Sequence, residues 1–180
     1  MIASGAVKVH VGEDARKLIE AQGTKRLLES RYVYTTTDGK DSGPLKARWC
    51  IRGYLDPDIL DLATAAPTLS PEGFATIVQM ITSKRWHLKI ADIEAAFLRG
   101  DDMKRTQGKV LVRVPRDGIP QLAHDAIIEL IKPVYGLADA PRLWWKSLTK
   151  SLVELGMTQS RLDVCVFHYR RPGDETCKEL

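Results

Sequence analysis

Hydrophobic and polar positions change period several times along this 180-residue chain, and each change marks an element. Residues 12–29, GEDARKLIEAQGTKRLLE, space their apolar positions as a polar, partly amphipathic helix that Gly23 weakens. Residues 31–36, RYVYTT, alternate and are rich in aromatic and β-branched types, which predicts a strand. Asp38-Gly39 signals a turn, Lys40 to Pro44 extend the loop, and Leu45 to Tyr54 return as the second strand of a hairpin. Lys46, Arg48 and Arg52 fall on one alternation there, giving a cationic face that an ordinary solvent face would equally explain. Residues 55–69 show no period. Ser70 followed by Pro71 predicts a helix start, with Phe74, Ile77, Val78 and Ile81 buried along a helix reaching Lys84.

Trp86 to Ala91 predicts a strand that ends in Asp92, and Lys109 to Val114 another that ends at Pro115. Asp117 to Pro120 is a loop. Ala126 to Lys132 is a short apolar run stopped by Pro133, which suits a buried strand. Pro141 opens a helix with Trp144, Leu148, Leu152 and Leu155 on one stripe and Gly156 as its C-cap. Asp163 to Tyr169 predicts a last strand. Strand runs packed by a few helices indicate an α+β fold with a mostly antiparallel sheet. Residues 1–30 read as a helical lead-in, 31–170 as the main body and 171–180 as a loose polar tail.

Composition narrows this picture little: the length fits one domain or slightly more, and 44% hydrophobic residues suffice for a core. Charge distribution is more informative. Residues 1–55 carry 10 Lys+Arg against 6 Asp+Glu, whereas residues 56–180 carry 17 of each, so the net charge of +4 resides in the first third. A basic lobe beside an acid-bearing one suits a polyanion and a metal site, although a solvated basic surface has the same signature. Three scattered cysteines and four scattered histidines form no metal spacing and no Cys–His pair. No apolar run reaches the ~20 residues of a membrane span, and no signal-peptide core is seen, so an intracellular protein without membrane contact is expected, in cytoplasm or nucleus.

The stretch KIADIEAAFLRGDD, Lys89 to Asp102, concentrates the chemistry. An acid where a buried strand runs out is well placed to hold a metal ion, because the strand fixes it and the mouth beyond admits substrate. An Asp before a helical run also serves as an N-cap, and Asp92 fits both descriptions.

Five segments in order resolve that choice by resemblance. KARWCIRGY, TAAPTLSPEGF, HLKIADIEAAFLRGD, VYGLADAPRLWW and LVELGMTQSRLDVCVFHY resemble consecutive motifs of the reverse transcriptases of Ty1/copia-type retrotransposons, covering residues 31–170. The resemblance implies the fingers and part of the palm of a right-hand polymerase, and RNA-templated DNA synthesis by two-metal nucleotidyl transfer. The implied partners are an RNA/DNA template-primer and deoxynucleoside triphosphates, and the implied cofactor is Mg²⁺ or Mn²⁺. Asp92 matches the first catalytic aspartate, and the backbone carbonyl of Ile93 would be a further metal ligand. Phe97 matches the ring that packs on the sugar and excludes a 2′-hydroxyl; as a residue alone it reads as core. Arg48 and Lys46 match the cations that grip the triphosphate. Tyr135 and Gly136 match the turn under the templating pair. Arg52 would reach nucleic acid. Arg142 and Trp144 look structural, and Glu94, Asp101 and Asp102 read as cap or surface acids.

Departures from the family pattern set the expectation for activity. A Y-x-D-D hairpin should follow DVCVFHY, but no Asp-Asp pair follows Asp101-Asp102. Ala138 and Asp139 stand where the family commonly has Lys and Gln, and an acid there would repel phosphate. One carboxylate cannot hold two Mg²⁺ ions against water. The expectation is therefore a fragment without polymerase activity of its own, with an exposed sheet edge that favours association. The competing readings are a non-catalytic basic nucleic-acid-binding module derived from a retroelement, and an unrelated structural α+β domain.

Overall fold

The computed structural model describes residues 5–36 and 44–170. In chain order the elements are β1 Val7–His10, α1 Gly12–Gln22, β2 Leu27–Leu28, β3 Ser30–Thr36 and β4 Leu45–Ile51. Then follow α2 Pro71–Lys84, α3 Ala96–Arg99, β5 Leu111–Arg113, β6 Ile127–Leu130, α4 Ala140–Glu154, β7 Thr158–Gln159 and β8 Phe167–His168. The mixture of helices with largely antiparallel pairing is the α+β class expected, the parallel β2–β5 pair being the exception. Two compact units emerge. One comprises the chain up to Ala65 together with Ala95–Trp144; the other comprises Ala66–Glu94 and the chain from Trp145.

The first unit is built on a sheet in the order β1-β6-β5-β2. Side chains alternate between the faces of a strand. Val110, Val112, Val114, Ile128 and Leu130 accordingly meet Trp49 and Ile51 of the hairpin and Val134, Leu137 and Ala140. Leu111 and Ile127 sit in a second cluster with Ala15, Leu18 and Ile19 of α1. Burial on both faces explains why β6 reads as a continuous apolar run; each fully buried Ile or Leu there contributes roughly 1.5–3 kcal/mol. Glu129 interrupts it, and its buried carboxylate lies 2.8 Å from Nε2 of His10 and 2.7 Å from Nζ of Lys109. Burial pushes this carboxyl up, but the hydrogen bonds from Lys109 and His10 together hold it below its ordinary value.

Several elements differ from expectation. The first helix ends at Gln22, where the Gly23 amide donates to the Ile19 carbonyl; residues 24–28 become a 3₁₀ turn and then β2. The lead-in also supplies β1, whose AVKVHV alternation was the available signal. The hairpin forms as expected, with Ser30 opposite Ile51 through Thr36 opposite Leu45, while the predicted Asp38-Gly39 turn lies outside the described residues, as does the tail.

In the second unit α2 begins as predicted. Ser70 Oγ accepts from the Gly73 amide at 3.0 Å, and Ser70 Oγ and its amide both donate to Asp163 Oδ2, at 2.6 and 2.8 Å. These bonds hold the Asp163 carboxyl below the ordinary carboxylate range. The helix ends on Arg85 in the left-handed region, with Trp86 donating to Ile81 and Arg85 to Thr82. Its apolar stripe is not buried as expected: Phe74 is 60% exposed, and no residue of α2 is buried. The strand expected at 86–91 is absent, and Ile90 is 91% exposed. Apolar alternation selects a face, but a strand also needs a neighbour for its backbone groups, and none of the described strands pairs with it. α4 closes near Gly156 as predicted, where Met157 donates to Leu152 and Gly156 to Val153. Its stripe is only partly covered, Leu155 being exposed, and the last strand is reduced to β8.

Candidate functional site

The β3–β4 hairpin presents its two sides unequally. Trp49 and Ile51 point into the core, so Lys46 and Arg48 project from the opposite face and are exposed. Register adds a residue that the strand pattern did not single out: Arg31 lies opposite Cys50 and is exposed on that same face. Its signal was position two of a strand whose partner carries cations at alternate places. Arg52 lies beyond the strand, and its guanidinium donates to Glu29, whose backbone carbonyl accepts from the Arg52 amide. Its charge is thus partly engaged within the protein.

The end of β4 meets the Tyr135–Gly136 turn backbone to backbone. The Ile51 amide donates to the Tyr135 carbonyl at 2.8 Å. Gly136 has φ +97°, and a Cβ there would stand 2.0 Å from the Ile51 carbonyl oxygen. From the other side, a Cβ on Gly53 would stand 2.1 Å from the Gly136 carbonyl oxygen. Two glycines therefore permit two backbones to touch. Phe97 of α3 meets Tyr135 edge to face, ring centroids 4.7 Å apart, and also packs against the main core cluster. Phe97 is thus partly core and also lies beside the turn. Arg48 stands three residues back along β4 from Ile51, about 10 Å at strand rise, and Lys46 about 17 Å.

Asp92 and Ile93 belong to the second unit. Asp92 is exposed and lies in neither a strand nor a helix. It does not cap the helix that follows, because α3 starts on Ala95 in the left-handed region with no side-chain cap. Among the described residues no three His, Cys, Asp or Glu side chains come together as metal ligands. The described residues alone thus do not supply the several rigid oxygens within reach of both ions that a two-ion centre needs. Glu94, Asp101 and Asp102 are exposed.

Asp139 is a correction. Its carboxylate is buried and lies 3.1 Å from Nη2 of Arg105, so it is compensated inside the protein and does not confront an approaching phosphate. Burial raises its carboxyl, more than Arg105 lowers it. The same Nη2 lies 3.1 Å from Asp56, while Arg26 grips Asp58 with two hydrogen bonds of 2.7 and 3.0 Å. Residues 55–69, which carry no period, are thus anchored by charge. The clustered acids of DPDILD were the available signal. Arg142 donates to the Ala65 carbonyl at 2.7 Å, consistent with a structural role. No helix among the described residues is long and apolar enough to cross a membrane.

The chain is 26% identical over 148 residues to the retrovirus-related Pol polyprotein from transposon RE2 of Arabidopsis thaliana, an alignment covering 81% of this chain and 10% of that one. It is 27% identical over 151 residues to the corresponding polyprotein from transposon RE1 of the same plant, again 81% and 10%. It is 27% identical over 146 residues to the transposon Ty1-BL Gag-Pol polyprotein of Saccharomyces cerevisiae, covering 79% and 8%. The chain thus spans about a tenth of the length of these curated relatives. No solved structure gives a significant match. The family model for reverse transcriptase (RNA-dependent DNA polymerase) matches residues 14–176. With that match over nearly the whole chain, and with Ty1/copia-type Pol polyproteins as its relatives, the chain belongs to the reverse transcriptase family.

Proposed function

We propose that this chain is the part of a retrotransposon reverse transcriptase that grips nucleotide and template, and that by itself it does not polymerise. The β3–β4 hairpin corresponds to fingers and the remainder to part of a palm. One observation carries the reading: an exposed cationic strand face ends in a backbone junction with the Tyr135–Gly136 turn, beside Phe97. Arg48 and Lys46 would engage the triphosphate, Arg48 offering a planar, permanently charged fork. Tyr135, Gly136 and Phe97 would form the floor and wall against base and sugar. Arg31 and Arg52 would contact nucleic-acid phosphates.

The reaction implied by the family, metal-assisted nucleotidyl transfer with Mg²⁺ or Mn²⁺, is not assigned to this chain. Asp92 and the Ile93 carbonyl are too few oxygens for two ions that dehydrate reluctantly. That same shortage, with three cations on one hairpin face, favours a second reading: a nucleic-acid-binding module without catalysis. The two separate on nucleotide affinity, which the module reading does not require.

Fluorescence anisotropy with a labelled RNA–DNA template-primer tests the shared part. Arg48→Glu should weaken binding and reduce the salt slope by about 1 for each phosphate that is no longer neutralised. An unchanged slope would remove the hairpin from the interface. Primer extension with Mg²⁺ tests the second claim. Synthesis that disappears in Asp92→Ala would show that the chain does polymerise.

A further inference from the structure

Two irregular segments run beside each other in the first unit. They touch at Gly53 and Gly136, backbone against backbone. Three residues further along each, Asp56 and Asp139 are both buried, 3% and 6% exposed, and both carboxylates lie 3.1 Å from a single nitrogen, Nη2 of Arg105. The Arg105 side chain is itself only 6% exposed and comes from a third segment without regular structure. No sheet ladder joins these three segments. The Asp56–Asp58 side is secured independently, by Arg26 on Asp58 and Gln107 on Asp61. Asp139 makes its side-chain ion pair with Arg105.

We propose that Arg105 is a positioning residue that holds the Tyr135–Gly136 turn in register with the end of β4, and through it sets nucleotide affinity. This rests on the reading of that turn as part of the nucleotide pocket. Two buried carboxylates without the cation would repel each other. Segment 134–140, held otherwise by the core contacts of Val134, Leu137 and Ala140, would then loosen at the Ile51–Tyr135 bond. Arg105 is buried and bonds Asp56 and Asp139, so its effect is transmitted through the turn. Its Nε and Nη1 are buried without a protein partner. Since one nitrogen serves both acids, a lysine ammonium there can replace it.

The test uses the full chain with Arg105→Met, Arg105→Lys, Asp139→Leu and, as a control, Arg26→Met. Hydrogen exchange is read at the Ile51 amide and over 134–140, and separately over 56–61. Titration with deoxyguanosine triphosphate and with template-primer gives the two affinities. Arg105→Met should speed exchange at Ile51 and 134–140 by about tenfold and leave 56–61 nearly unchanged, because opening is local. Deoxyguanosine triphosphate should bind about tenfold more weakly, the equivalent of ~1.4 kcal/mol, with template-primer affinity unchanged. Arg105→Lys should restore both, and Arg26→Met should loosen 56–61 instead. Uniform loosening of both segments, or no change at Ile51, would overturn the proposal. If Arg105→Met does not fold, Asp139→Leu decides, since it removes one side of the clamp while Asp56 keeps its cation. If the unaltered chain binds no nucleotide, the pocket reading fails, and the exchange data still decide whether Arg105 holds the turn.

Discussion

Gly136→Ala is the most direct probe of the junction between β4 and the pocket turn. Two penalties can be separated. At φ +97° an L side chain adopts a backbone conformation that costs about 1–2 kcal/mol. The new methyl would also lie 2.0 Å from the Ile51 carbonyl oxygen and 2.8 Å from its nitrogen. Comfortable carbon–oxygen approach begins at ~3.3 Å, so the turn must retreat by about 1 Å. A retreat of that size breaks the 2.8 Å bond from the Ile51 amide to the Tyr135 carbonyl, a further loss of about 1 kcal/mol. Loosened packing of Ile51 and Leu137 against the core brings the expected destabilisation to about 3 kcal/mol, or a melting shift of ~6–12 °C for a chain of this size. Urea denaturation followed by tryptophan fluorescence measures it, with Trp49 buried in the same cluster as Ile51. Gly12→Ala is the control. Its φ is +58° and its Cβ would meet nothing within 4 Å, so it carries the backbone penalty alone. If Gly136→Ala is no more destabilising than Gly12→Ala, the close backbone approach is not what holds the turn.

Three further predictions address the charged and capping groups. Ser70→Ala removes the N-cap of α2 and should destabilise the second unit by about 1 kcal/mol, measured as helical protection against exchange. Because the Asp163 carboxyl is held low by Ser70, the stability it adds is present above its ordinary value of 3.8 and fades as pH falls below it. Asp163→Asn should abolish that pH dependence, and an acid-sensitive α2 in this variant would refute the assignment. Lys109→Met leaves buried Glu129 with His10 as its remaining side-chain hydrogen-bond partner and should cost about 1–2 kcal/mol at neutral pH. The Glu129 carboxyl is also depressed, so the difference from the parent should shrink as pH drops below 4.5; a constant difference would mean Lys109 acts through packing alone.

Local chemistry was enough for much of this protein. Ser70-Pro71 specified the start of α2, Gly156 the end of α4, and alternation specified β3, β4 and the cationic side of the hairpin, because caps, turn residues and strand period act within a few positions. The short apolar run around β6 announced a buried strand. Family resemblance came from motifs in order, and comparison bore it out. Pairings between distant positions were not legible. Nothing local in RYVYTT tells that Arg31 stands opposite Cys50, and nothing in LADAP around Asp139 tells that Arg105 neutralises it. Exposure of Trp86, Leu88 and Ile90 is the converse case: their alternation chose a face, but whether a strand forms depends on a neighbouring strand to take its hydrogen bonds. Asp92 was named as a candidate ligand by family resemblance, while which carboxylates stand beside it is a matter of tertiary structure, because such groups come from distant positions of the chain.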